Sequence, residues 1–188
     1  MPEYPRVQVD ELSDTPNPTA HKREVDEALG ASAVGFNVYV ARPGERLPWG
    51  YHYHPDHEEL LYVLEGELEV ETAETPETHP ENVEADEPAE EDEWPNREPS
   101  FRVGAGEALL IPAGAPQCAR AVDESSTKVI AVGAPKDADS AVIEEYCPAC
   151  EKRTDRTYES RDEDGEPTYV LSCVACGTET DRFGAGPD

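Results

Sequence analysis

The chain has 188 residues, 43 of them acidic and 15 basic, for a formal charge of −28 and a pI near 4.3. That length allows one ordinary domain, or one domain with an appendage too short to build its own core. No apolar run reaches the roughly 18 to 20 residues of a bilayer span, and MPEYPRVQVDELSDTP at the start lacks a basic and apolar leader pattern. Self-repulsion of this size destabilises a compact state in dilute buffer and is screened within about 3 Å at 1 M salt. The expectation is a salt-adapted, halophilic protein of the cytoplasm. Five cysteines, four of them in two CxxC pairs, suit metal thiolates in a reducing compartment better than a disulfide framework.

Residues 1–31 mix prolines and charges, with a weak helical hint in HKREVDEALG, and read as an arm lying on the main domain. From Ser32 to about residue 140 the pattern turns to short β-rich runs: AVGFNVYV, LLYVLEGELEV, FRVGAG, EALLIPAG and TKVIAVGAP. Val34, Phe36, Val38 and Val40 alternate with Gly35, Asn37 and Tyr39, the period of a half-buried strand. Pro43-Gly44, Glu65-Gly66 and Pro112 to Gly114 punctuate these runs, which predicts an all-β antiparallel sandwich or barrel. Residues 71–100 carry twelve acidic residues against one basic and read as a solvated loop inserted between two strands. His79, within it, reads as an exposed loop histidine.

The stretch GYHYHPDHEELLYVLEG concentrates chemistry. If His52, Tyr53 and His54 follow one strand, the two imidazoles project to one face, and a glutamate opening the next strand can meet them. Two histidines and one carboxylate with open positions form a facial set for Fe(II), and also for Mn, Ni or Zn. His57 is expected at the pocket mouth or exposed, or else as a secondary support to the ion or a replacement ligand. Tyr62, Leu64, Phe101, Leu110, Trp49 and Phe36 are candidate interior walls, Tyr62 also as secondary support. Cys118 reads as a buried, inert thiol facing away from the interior.

These residues resemble the cupin family, a jelly-roll barrel. Its first motif, His-x-His, three or four residues, Glu, six residues, Gly, fits His52, His54, Glu59 and Gly66. Its second, Gly, five residues, Pro-x-Gly, two residues, His, fits Gly106, Pro112 and Gly114 but meets Gln117 where the histidine stands. The resemblance implies a divalent metal held by His52, His54 and Glu59, and leaves three readings of Gln117. It is a weak fourth ligand or a partner of bound water or substrate; or the metal binds only transiently; or the pocket has lost metal and kept a small molecule.

CPAC at Cys147 to Cys150 and CVAC at Cys173 to Cys176 have the paired spacing of a four-thiolate zinc site, with a hairpin expected to turn at Asp164-Gly165. Residues 141–188 therefore resemble a zinc ribbon, too small to fold without its metal. From 144 to 188 there are twelve acidic residues against five basic, which opposes nucleic acid and favours a protein partner or a dimer contact. A barrel followed by paired CxxC motifs is similar to ring-cleaving dioxygenases of hydroxyanthranilate, from which the chain departs at Gln117. The sequence thus predicts a metal-dependent, oxygenase-type enzyme for a small polar organic molecule, with an isomerase or decarboxylase as lesser forms. The alternative is a non-catalytic binding or sensor module whose ribbon contacts a protein, and a homodimer follows from the family resemblance.

Overall fold

The computed structural model describes residues 4–48, 50–72, 99–136, 141–163 and 165–186. Most of the acidic insert lies outside them, as do Trp49, His79 and Asp164. Among the described residues the chain forms β1 (His21–Glu24), α1 (Val25–Leu29), β2 (Gly35–Ala41), β3 (His52–Tyr53), β4 (Glu58–Glu65), β5 (Glu67–Thr72) and β6 (Ser100–Gly104). There follow β7 (Ala108–Ile111), β8 (Gln117–Ala121), β9 (Thr127–Ala134), β10 (Val142–Cys147), β11 (Lys152–Glu163), β12 (Glu166–Cys173) and β13 (Glu179–Phe183). One sheet has the order β1-β2-β9-β4-β7, the other β13-β12-β11-β10-β3-β8-β5-β6.

The two sheets face one another across a core of alternating side chains. Tyr39, Ala41, Leu61, Val63, Ile111, Val129 and Ala131 come from the first sheet, and Leu68, Val70, Val103, Ala119 and Ala121 from the second. The tight turn from β4 into β5 depends on Gly66. Its φ is 78°, and a Cβ there would stand 2.9 Å from Thr127 Cα, closer than side chains tolerate. The expected all-β jelly roll is therefore what the chain builds.

Two local readings differ from expectation. HKREVDEALG splits, its first four residues pairing with β2 as an edge strand and only Val25–Leu29 turning helical. An open strand edge offers those residues more hydrogen bonds than one further helical turn would. In β2 the alternation holds but its facing is reversed. Tyr39 and Ala41 enter the core, while Val38 lies on the opposite face, against which α1 packs. Period two fixes which residues share a face, and tertiary context chooses the face.

The C-terminal strands continue the barrel sheet. β10 pairs with β3 on one side, at Val142↔Tyr53 and Ile143↔His52, and with β11 on the other. β11 and β12 form the expected hairpin, with Gly165 at φ 91° in its turn.

Candidate metal centre

His52 is the first residue of β3 and points inward, only 3% exposed, directly across the ladder from the equally buried Gln117 of β8. Glu59 lies on the same face of β4 as the core residues Leu61 and Val63, so its carboxylate enters the same space. His54 falls just beyond β3, its carbonyl accepting the Gly114 N–H at 2.7 Å. Its ring meets that of His52 edge-on, with centroids 5.1 Å apart. Ring nitrogens of both histidines and a carboxylate oxygen of Glu59 lie within 4.8 Å of one another. Gln117 Nε2 closes the group, 3.3 Å from His52 Nε2 and 3.3 Å from Glu59 Oε2.

Electrostatics favour a cation at this point. His52 Nδ1 lies 2.8 Å from the Gly50 carbonyl. A carbonyl only accepts, so Nδ1 carries the proton and Nε2 keeps its lone pair for the centre. Burial lowers the pKa of His52 and pushes that of His54 down to about 3, so both imidazoles are neutral donors. Burial also raises Glu59 to about 7, opposed by the hydrogen bond from Gln117. Gln117 Oε1 is buried with no hydrogen-bond partner. An orphaned buried acceptor costs about 1–3 kcal/mol, and a cation or its bound water would satisfy it. Two neutral imidazoles, a carboxyl and an amide oxygen make a donor set that fits a divalent ion.

His57 lies against His54. It is half-buried and stacks on His54, centroids 4.0 Å apart and planes 22° from parallel. A Cβ on Gly133 would sit 3.1 Å from its Nε2, so the ring uses space that glycine leaves in β9.

Tyr62 requires correction. It is three residues from Glu59 in one strand, hence on the opposite face, and is 36% exposed. It neither supports the metal group nor walls the interior. The same parity puts Leu64 and Leu110 outside, and Phe36 shares the outward face of Val38. Phe101 alone of the described wall candidates packs on the core. Cys118 is buried on the side of β8 away from Gln117 and Ala119, and burial raises its thiol to about 12.

Tyr39 escaped sequence reading. It is buried in the core, and burial first, then the charge of Glu59, raises its phenol above the ordinary value. The signal was present as the Gly35, Asn37, Tyr39 set, a polar inner face within an apolar strand.

The four cysteines of the pairs also converge. Cys147 and Cys176 sulfurs are 3.7 Å apart, and those of Cys150 and Cys173 3.9 Å. With zinc–sulfur bonds of about 2.3 Å, a tetrahedron has sulfur edges of about 3.8 Å, so the cluster fits a small zinc site. Each pair turns in the same way. Glu151 N–H bonds the Cys147 carbonyl and Gly177 N–H the Cys173 carbonyl, both at 2.8 Å, with φ of 54° and 73° after the pairs. The Thr154 hydroxyl, 3.1 Å from the Cys173 sulfur, holds that thiol down to about 6.

A two-sheet antiparallel barrel holding a His-His-Glu group defines a class, and comparison with known proteins gives it a family. The model described as Cupin matches residues 22–145. The chain belongs to the cupin family. A curated relative, a polyketide synthase CurC from Streptomyces cyaneus, is 48% identical over 42 residues, or 22% of this chain; the chain spans only 26% of that protein. Among solved structures, a cupin-superfamily sugar phosphate isomerase from Silicibacter pomeroyi is similar at TM-score 0.53 and 15% identity, covering 94% of this chain and 92% of that one. A recombinant oxalate oxidase in complex with glycolate is similar at TM-score 0.51 and 19% identity, covering 73% and 62%. At these identities the likeness is one of fold.

Proposed function

We propose that the protein is a metal-dependent cupin enzyme of oxygenase type acting on a small polar organic molecule, with isomerase or decarboxylase chemistry the less favoured forms. The observation that carries this is the meeting of His52, His54 and Glu59 donors within 4.8 Å beside a buried amide oxygen that lacks a partner. When bound, a divalent ion (Fe, Mn, Ni or Zn) supplies Lewis acidity and, if redox-active, electron transfer toward O2. His52 and His54 hold it as neutral nitrogen donors and Glu59 supplies the charge. Gln117 contributes its oxygen or orients a bound water or substrate through its N–H. The phenol of Tyr39 is kept neutral by burial. The binding-module alternative calls for Gln117 tied to the backbone; its amide instead spans His52 and Glu59.

In this reading Cys147, Cys150, Cys173 and Cys176 bind a structural zinc. The outward residues Leu60, Tyr62, Leu64 and Leu110 give the first sheet an exposed apolar face suited to a second copy of the chain. The acidic surface is an adaptation to salt.

Metal analysis of protein purified in high salt tests the centre. The wild type is expected to hold two ions per chain and His52→Ala one. An equal metal content in both would remove the barrel ion from the proposal.

A further inference from the structure

We infer that Glu145, a residue of the C-terminal ribbon segment, is a positioning residue for the barrel metal centre, acting through the Gly50–Tyr51 peptide upon His52. The inference rests on the proposal that His52 is a metal ligand.

β3 contains only two residues and meets β8 at the single pair His52↔Gln117. Such a short strand cannot fix a side chain by its own ladder. Further anchorage comes from β10, which pairs with both residues of β3 and also receives the Tyr51 carbonyl on the Glu144 N–H at 2.9 Å. Glu145 then reaches back, its Oε1 accepting the Tyr51 N–H at 2.9 Å. That N–H and the Gly50 carbonyl belong to one peptide plane. On the carbonyl side, 2.8 Å away, is His52 Nδ1.

A carboxylate on one edge of a peptide therefore faces an imidazole on the other. A side-chain oxygen bonded to the N–H fixes the plane and polarises it, making the carbonyl a stronger acceptor. A stronger acceptor favours the tautomer with the proton on Nδ1, the one that leaves Nε2 free to bind a cation. Position 50 is shaped for this contact. Its φ is 83°, and a Cβ there would overlap Glu145 Oε1. Arg46 Nη1 steadies the carboxylate at 3.3 Å.

The ribbon holds Glu145 in place in turn. The buried Arg156 guanidinium donates to the Glu145 carbonyl at 2.8 Å and to Thr154 Oγ1 at 2.6 Å, and Thr154 touches the Cys173 sulfur. Cys147, two residues beyond Glu145, is itself one of the four clustered thiols.

The test uses the full chain with the ribbon loaded with zinc, and Mn2+ alone as the probe, its free concentration followed by electron paramagnetic resonance. Glu145→Ala is expected to weaken Mn2+ binding about tenfold or more, as loss of such supporting groups does elsewhere. Glu145→Gln keeps an oxygen for the Tyr51 N–H and should stay within about threefold of wild type, the expected rescue. Ribbon zinc content should be full in all three proteins. In the Mn2+-free protein, two-bond 1H–15N spectra should show His52 protonated on Nδ1 in the wild type and Glu145→Gln, and shifted toward the Nε2 tautomer in Glu145→Ala. Wild-type affinity and tautomer in Glu145→Ala would overturn the inference, as would equal losses in both variants. Failure of the underlying metal proposal is separate: wild type and His52→Ala would then bind Mn2+ equally poorly.

Discussion

An amide at position 117 where its family resemblance supplies an imidazole changes what the barrel asks of an ion. Gln117 replaces a nitrogen donor with an oxygen and, without metal, cross-links His52 to Glu59. Gln117→His should raise affinity for Zn2+ or Ni2+ by about tenfold to a hundredfold, measured by chelator competition. Glu59 sets the pH dependence. Below about 7 its carboxyl holds a proton that the cation must displace, while His54, lowered to about 3, stays neutral. Affinity should therefore fall by up to about tenfold per pH unit as pH drops below 7. In the metal-free protein the sign is opposite. The folded pKa lies above the unfolded value of 4.5, so this group's stabilisation is full below 4.5 and lost as pH rises through 7. Glu59→Gln should flatten that part of the urea-midpoint profile. The sequence made His52, His54 and Glu59 legible because the motif spacing selects them. The inward facing of Tyr39 was hidden because period two does not say which face turns inward.

At the scale of elements, the runs in the sequence locate strands well and their outward faces poorly. LLYVLEGELEV holds β4, a glycine turn and β5, yet Tyr62 and Leu64, expected as interior walls, face outward. Their apolar character belongs to the other side of the sheet, where Leu60 faces Leu110 across one ladder and Tyr62 faces Ile130 across the next. Exposed apolar residues in adjoining strands are a reason for self-association. The wild type should sediment as a dimer in high salt, and Leu60→Asp with Leu110→Asp as a folded monomer. A monomeric wild type would remove this role for the face. β3 was legible only as a motif, since two residues carry no periodicity.

For the whole molecule, charge dominates. With a formal charge of −28, stability should climb steeply with KCl at low concentration and level off once the Debye length falls to about 3 Å near 1 M. A thermal midpoint indifferent to salt would argue against salt adaptation. Composition carries the charge, whereas nothing in it revealed that the ribbon's strands extend the barrel's own sheet through β10. That continuity bears on how the chain is made. A nascent polypeptide translated only as far as residue 136 leaves His52 and Tyr53 with bare amides and carbonyls along one side, an adhesive margin. The barrel becomes a finished surface only after β10 has left the ribosome, so a truncation at residue 136 should precipitate rather than yield a smaller working barrel.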